Sequence, residues 1–106
     1  MIIEIVSFDM PEGFGEAELR ADARATVAHW QADPALIRKH FAIAGDGTVA
    51  GIYVWPDREA ARRAHGPEWI ARFRARTGRE PRFAYFDVFM LIDNEAGAVR
   101  EFPLPS

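Results

Sequence analysis

The chain has 106 residues, of which 49% are hydrophobic and 27% are charged, and its formal net charge is −3. The length predicts one domain, and the composition is typical of a globular protein. The acidic balance gives no basis for a nucleic-acid partner. The absence of cysteine excludes disulfides, thiol catalysis and zinc–thiolate sites.

The N-terminal segment and the hydropathy predict a cytoplasmic protein without a membrane partner. The first eight residues lack a basic leader and carry Glu4 inside an apolar run, so no signal peptide is predicted. No apolar stretch reaches the roughly 20 residues that a membrane helix needs.

In chain order, the hydrophobic pattern predicts the elements βαββαβ. Strands are predicted at 2–9, 36–44, 49–55 and 82–92, and helices at 16–31 and 58–78 with a break at Gly66-Pro67. Asp57 is the predicted N-cap of the second helix, and Gly78 is its predicted C-cap. The order is that of the ferredoxin-like α+β fold, a four-stranded antiparallel sheet with two helices on one face. We expect this domain to span 1–94 and a C-terminal tail to span 95–106.

Alternation along the strands divides their residues between two faces of the sheet. One set is almost purely hydrocarbon: Ile3, Ile5, Ile37, Phe41, Ile43, Ala50, Ile52, Val54, Phe86, Val88 and Met90, with Lys39 as the main exception. The other set mixes aromatic and ionisable groups: Glu4, Val6, Phe8, Arg38, His40, Gly51, Tyr53, Trp55, Tyr85, Asp87 and Phe89.

Two helices can cover only one face of the sheet, so the other face needs a partner. We expect the hydrocarbon face to form a homodimer by face-to-face packing of two sheets. The mixed face then looks toward the helices and lines a pocket, where Gly51 leaves room that a side chain would fill. Such a pocket suits a small aromatic ligand.

Candidate acid–base groups in this pocket are His40 and His65, because imidazole titrates near neutral pH. An ordinary surface or interface histidine is an equally good interpretation of His40, and His65 could instead interact with nearby helix carbonyls. No pair of histidines has the helical spacing of metal ligands, so no metal site is predicted.

Candidate ligand contacts come from the same face. Trp55 and Trp69 could stack on a planar ligand, although tryptophan is more often ordinary core. Tyr53 and Tyr85 could donate hydrogen bonds to a phenolate or carbonyl oxygen, with Arg38 beside them. Asp87 is a possible orienting carboxylate.

Several short motifs resemble the YdhR-type monooxygenases, which are similar to the antibiotic-biosynthesis monooxygenases of the dimeric α/β-barrel superfamily. The motifs are Leu36-Ile37-Arg38-Lys39, Ala50-Gly51-Ile52-Tyr53-Val54-Trp55, Arg58-Glu59-Ala60-Ala61, Glu68-Trp69, Tyr85-Phe86-Asp87 and Ile92-Asp93-Asn94. The resemblance implies a ferredoxin-like protomer that dimerises through its sheets. It also implies oxidation of electron-rich aromatics by O₂ without metal or flavin. Haem-degrading relatives place a strand-end tryptophan and a helix histidine around haem, and Trp55 and His65 match those positions approximately.

The sequence therefore predicts a cofactor-independent monooxygenase that acts on a phenol or hydroquinone type of aromatic. His40 or His65 would accept the phenolic proton. Two alternatives remain open at this point: a non-catalytic dimer that binds a small aromatic, and a cyclase or isomerase on the same fold.

Overall fold

The structure, a computed structural model, describes residues 1–105. Within this range the protein is a mixed α+β fold with a four-stranded antiparallel sheet, three helices and a separate two-stranded hairpin. The elements are β1 (Ile2–Phe8), α1 (Glu16–Gln31), β2 (Arg38–Ile43), β3 (Val49–Trp55), α2 (Arg58–Ala64), α3 (Pro67–Thr77), β4 (Arg82–Asp87), β5 (Met90–Asp93) and β6 (Ala98–Glu101).

The element order agrees with the predicted βαββαβ pattern, with two differences near the C-terminus. The strand predicted over 82–92 is divided into β4 and β5. Part of the predicted tail forms β6, which pairs antiparallel with β5. Ser106, the last residue of the predicted tail, lies outside the described residues.

The strand order of the sheet is β2-β3-β1-β4, so β1 and β3 are central. Glu4 of β1 lies opposite Tyr53 of β3 on one side and Tyr85 of β4 on the other. This register confirms that the three side chains share one face. We call it the helix-facing side, because side chains of the helices pack on it.

Residues from all three helices contact the helix-facing side. Trp30 of α1 lies edge-on to Tyr53, with ring centroids 5.1 Å apart, and Phe73 of α3 lies edge-on to Phe8 at 4.9 Å. Ala60 of α2 is buried in the same core cluster. The core therefore lies between the mixed set of side chains and the helices.

A break in the second predicted helix positions His65. Asp57 caps α2 as predicted, since its side chain accepts a hydrogen bond from the Ala60 N–H at 2.9 Å. Helix α2 ends at Ala64, and Pro67 begins α3, where its missing N–H costs nothing. His65 lies between the two helices with a non-helical backbone and a buried side chain.

The predicted face of Arg38 and His40 is wrong. Arg38 pairs with Val54 and His40 pairs with Ile52, so both lie on the side of the sheet away from the helices. We call this the outer side. Both side chains are exposed there.

The alternate residues of β2, Lys39 and Phe41, take the helix-facing side. The cause is the turn at 44–48, which is closed by a hydrogen bond and places Ile43 opposite Val49. Side-chain alternation fixes which residues of β2 share a face, but this register decides which face they join.

No helix within residues 1–105 meets the length and hydropathy required of a membrane span.

Candidate functional site

A buried polar cluster lies at the centre of the helix-facing side. The Glu4 side chain is fully buried, with 0% exposure, and its Oε1 accepts a hydrogen bond from Trp55 Nε1 at 2.8 Å. His65 Nδ1 lies 2.8 Å from the same oxygen. The ring N–H does not point along this line, so the contact is a close approach of charge or dipole rather than an aligned hydrogen bond.

Three buried atoms of this cluster have no hydrogen-bond partner within residues 1–105. They are Glu4 Oε2 and both ring nitrogens of His65, of which Nδ1 has only the close approach to Glu4. A buried polar atom without a hydrogen bond costs free energy, so such atoms are uncommon in folded proteins. The Glu4–His65 pair therefore lowers the stability of the fold relative to a fully hydrogen-bonded or apolar pair at the same position.

Aromatic rings surround the His65 imidazole. The centroid distances are 4.4 Å to Trp69, 4.7 Å to Tyr53, 5.4 Å to Trp30, 5.7 Å to Phe83 and 6.4 Å to Trp55. Three of these rings, Trp30, Tyr53 and Trp69, separate His65 from an open cleft between the helices and the sheet.

The cleft, of about 1020 Å³, lies between α1, α3 and the helix-facing side of the sheet. The apolar stripe of α1 lines one wall: Leu19, Ala23, Val27 and Trp30. Only Trp30 of that stripe is buried. This stripe therefore mostly faces an open cavity. Tyr53, Trp69 and Phe73 line the rest of the aromatic surface of the cleft.

Lys39 extends into this cleft among aromatic rings. Its Nζ lies 4.5 Å from the ring centroid of Trp30, 4.0 Å from that of Phe41 and 4.6 Å from that of Tyr53. The rings attract a cation through their negative faces. A Cβ added at Gly51 would lie only 3.2 Å from Lys39 Cε, so the glycine makes room for the lysine stem.

Charged groups at the cleft are mostly basic. The lining residues that carry charge are Arg20, Arg24, Lys39, Arg72 and Arg76 against Glu16 and Asp22. Asp22 of α1 forms an ion pair with Arg76 of α3 and so connects the two helices at the cleft. The cavity lining is positive although the whole chain is negative.

Burial shifts the pKa of three groups near the cluster. It lowers the pKa of Lys39 to about 7, and the Arg76 charge lowers it further, while Asp22 and Glu4 act in the opposite direction. Burial, with Glu4 adding to it, raises the pKa of the Tyr53 hydroxyl well above its usual value. The same two causes raise the pKa of Tyr85 to about 12.

The predicted site residues separate into distinct places. Tyr53 and Trp69 line the cleft, while Trp55 and His65 lie behind its aromatic wall. Gly51 lines the cleft too, but the space above it is filled by Tyr53 and Lys39 rather than left open.

The other predicted site residues lie away from the cleft. Asp87 forms an ion pair with Arg58, with Nη2 and Oδ2 3.5 Å apart, and the Arg58 guanidinium lies over the Tyr85 ring at 5.5 Å. Arg38 and His40 are on the outer side. The structure thus brings four of the eight predicted residues to the cleft or its rear wall.

Sequence reasoning missed Glu4 and Lys39 as site residues. Each carried a visible signal, because each is an ionisable residue that interrupts an otherwise apolar pattern. Lys39 is also the chain's single lysine among 13 basic residues.

Comparison with known proteins gives a fold but no sequence family. No protein-family model matches the sequence, and no curated protein matches it. Among solved structures, SnoaB, a cofactor-independent oxygenase from Streptomyces nogalater, has a TM-score of 0.61 and 22% identity over 82% of this chain and 92% of its own. Rv0793 from Mycobacterium tuberculosis has a TM-score of 0.59 and 18% identity over 83% of this chain and 95% of its own.

A third solved structure is a variant of MhuD with two manganese protoporphyrin IX molecules bound per active site. It has a TM-score of 0.64 and 16% identity over 88% of this chain and 99% of its own. The crystal structure of an antibiotic biosynthesis monooxygenase has a TM-score of 0.58 and 14% identity over 81% of this chain and 97% of its own. The chain therefore has the fold of the antibiotic-biosynthesis-monooxygenase structures.

Proposed function

We propose that the protein is a cofactor-independent monooxygenase that oxidises a small electron-rich aromatic of the phenol or hydroquinone type with O₂. The observation that carries this proposal is the cleft of about 1020 Å³ with aromatic walls between the helices and the sheet. Its aromatic rings and the cationic groups beside them suit a flat aromatic molecule that carries oxygen atoms. The shared fold with SnoaB, a cofactor-independent oxygenase, supports the same chemistry.

The proposed reaction needs a ring that is already electron-rich and a site that excludes water. A phenol first loses its hydroxyl proton, because the phenolate gives electrons to O₂ more readily. One atom of O₂ bonds to a ring carbon, whose C–H bond breaks, and becomes the second carbonyl of a quinone. The O–O bond breaks, and the other oxygen atom leaves as water with the phenolic hydrogen and the hydrogen from that carbon. The rings of Tyr53 and Trp69 are placed to stack on the substrate, and the apolar wall of α1 limits side reactions with water.

His65 is proposed as a positioning residue rather than the base. Its imidazole is enclosed by rings and contacts Glu4, so it supports the rear of Tyr53 without reaching the cleft. His40 on the outer side is not part of this proposal.

A haem bound through His65 does not fit this arrangement. Nδ1 lies against Glu4, and the rest of the ring is enclosed by Trp69, Phe83 and neighbouring rings. An iron atom could reach Nε2 only if this wall moved. The proposed reaction therefore uses no haem.

We also propose the homodimer predicted from the strand pattern. Ile3, Ile5, Ile52 and Val54 are only partly buried on the outer side, and Phe86 beside them is 55% exposed. An apolar face over β1, β3 and β4, bordered on β2 by the exposed Arg38 and His40, is typical of a dimer surface with a polar rim.

Oxygen consumption tests the proposed reaction. Anthrone, 1-naphthol and naphthalenediols are tested as substrates with an oxygen electrode. The reaction is repeated under oxygen-18, and the product masses are measured by mass spectrometry. We expect uptake above the buffer rate and one labelled oxygen atom in the quinone formed from anthrone or 1-naphthol. The variant Leu19→Trp should narrow the cleft and lower the rate of uptake, whereas Ala21→Trp, on an exposed part of the same helix, should not.

The outcomes separate the alternatives. No uptake across the panel would overturn the monooxygenase proposal. Ligand binding without turnover would then indicate a binding protein, and a product of unchanged mass would indicate an isomerase or cyclase.

A further inference from the structure

Lys39 is a partly buried base that, in the described part of the chain, has no ion-pair partner of its own. Within residues 1–105 its amine forms neither a salt bridge nor a hydrogen bond, and its polar end meets three aromatic rings. Removing a lysine ammonium from much of its water without pairing it is unfavourable. The unpaired amine faces a cavity large enough for a ligand.

The acidic residues near Lys39 already have other partners, so none of them forms an ion pair with the lysine. Asp22 on α1 is the acidic neighbour, but it is engaged by Arg76 of α3. Glu4 on β1 is fully buried, and its Oε1 is taken by Trp55 and His65, so Lys39 forms no ion pair with it either. The groups that face Lys39 are therefore a paired carboxylate from α1, a guanidinium from α3, the buried Glu4 from β1 and the neutral hydroxyl of Tyr53 from β3.

We propose that Lys39 selects the ligand, so that the cleft takes a planar aromatic acid, a phenol or a carboxylic acid, whose ionised oxygen pairs with the Lys39 ammonium. This inference rests on the proposed use of the cleft but not on oxidation of the ligand. With a phenol, the O–H bond breaks and an N–H bond forms on Nζ, which gives a phenolate–ammonium pair without change of net charge. With a carboxylate, Nζ takes its proton from solvent.

The surroundings of the amine fit this exchange. Burial and Arg76 disfavour a lone ammonium, but an added anion cancels that penalty, and the three rings already favour the cation. Because the pKa of Lys39 lies near 7 in the free protein, most of the amine is neutral at about pH 8. Binding an anion should therefore draw a proton onto Lys39.

Calorimetry measures this coupling directly. The ligands are 2-naphthoate and the uncharged 2-naphthamide, titrated at about pH 8 into the full chain in two buffers that differ in ionisation enthalpy. We expect naphthoate to bind at least about tenfold more tightly than the amide, as charge-assisted hydrogen bonds permit. We also expect uptake of close to one proton for each naphthoate bound, since the lysine begins mostly neutral.

Three variants separate the role of Lys39 from general charge and packing. Lys39→Met keeps an unbranched chain that packs well on aromatic rings, and it should lose both the preference for naphthoate and the proton uptake. Lys39→Arg should keep a preference for the anion but lose the uptake, because guanidinium stays protonated. Arg62→Met removes an exposed cation of α2 outside the cleft and should change neither.

Equal affinity for the two ligands, no proton uptake by the parent chain, or an unchanged preference in Lys39→Met would overturn the proposal. The result is independent of turnover, since neither ligand needs to be oxidised. Selective binding with no oxygen consumption on the phenol panel would refute the monooxygenase and leave the aromatic-acid site standing.

Discussion

A carboxylate at the centre of a β-sheet is stable only when its surroundings replace the hydrogen bonds that water gave it. Glu4 receives one hydrogen bond from the Trp55 indole and the close approach of His65 Nδ1. These three residues come from a strand, a strand end and a helix break. The cluster therefore fixes three elements relative to one another through one oxygen atom.

Replacing Glu4 should reveal this dependence. Glu4→Ala leaves the Trp55 N–H and the His65 imidazole buried without a partner, so the free energy of unfolding should fall by about 3–5 kcal/mol. Glu4→Gln keeps the shape and the acceptor for Trp55 and should cost less. Urea denaturation followed by circular dichroism measures both changes, with the exposed Glu59→Ala as a control. An Ala variant as stable as the parent would show that the cluster does not support the fold.

At the residue scale, the sequence revealed which groups were unusual but not what they contacted. Glu4 was visible as a charge inside an apolar strand, and Lys39 as the exception in a hydrocarbon set. Their partners, Trp55, His65 and Trp30, are distant in sequence and meet them only through tertiary packing. Single-residue patterns carry no information on such contacts.

At the element scale, β3 depends on the absence of a side chain at Gly51. A Cβ there would lie 2.9 Å from Tyr53 Cε1. The Tyr53 ring cannot move away easily, because Trp30 and His65 pack edge-on against it at 5.1 Å and 4.7 Å. The ring lies back over the strand itself and forms part of the cleft wall.

Gly51→Ala should therefore displace the Tyr53 ring. We expect a loss of about 1–3 kcal/mol in the free energy of unfolding, as overpacked cores show. Weaker naphthoate binding should accompany it, because Lys39 Cε also lies against the added methyl group. Gly45→Ala is the matched control, since a Cβ there meets nothing within 4 Å. Thermal unfolding of the two variants compares them, and equal midpoints would contradict the close packing at position 51.

The elements themselves were largely predictable, while their mutual register was not. The bounds of α1 and β3 and the cap at Asp57 follow from local propensity and hydrogen bonding, so the sequence predicted them correctly. The face of β2 depends on how the turn at 44–48 aligns it with β3. A shift of one residue reverses both faces of a strand, and that shift is why Arg38 and His40 were misplaced.

At the scale of the whole molecule, the uneven cover of the sheet is the main feature. The helices pack on one side, while the outer side presents an apolar surface in the single chain. Strand alternation predicted this division for β1, β3 and β4, because it follows from hydrophobicity alone. The helices of the single chain do not cover the outer side, and the proposed homodimer interface lies there.

Phe86→Glu should dissociate the proposed homodimer. It would place an unpaired charge on the apolar face, whose burial in a partner is unfavourable. Light scattering at micromolar concentration should give twice the chain mass of 11.9 kDa for the parent and a single chain mass for the variant. Ala21→Glu on the exposed part of α1 should remain dimeric. A parent chain that is stable as a monomer would refute face-to-face pairing.

The arrangement around His65 also has a spectroscopic consequence. All three tryptophans of the chain, Trp30, Trp55 and Trp69, lie with their ring centroids within 6.4 Å of this one imidazole. The intrinsic fluorescence of the protein therefore originates around a single polar cluster. Emission intensity and wavelength report on the rear wall of the cleft without any label, so a single optical signal follows both the integrity of the core and events at its centre.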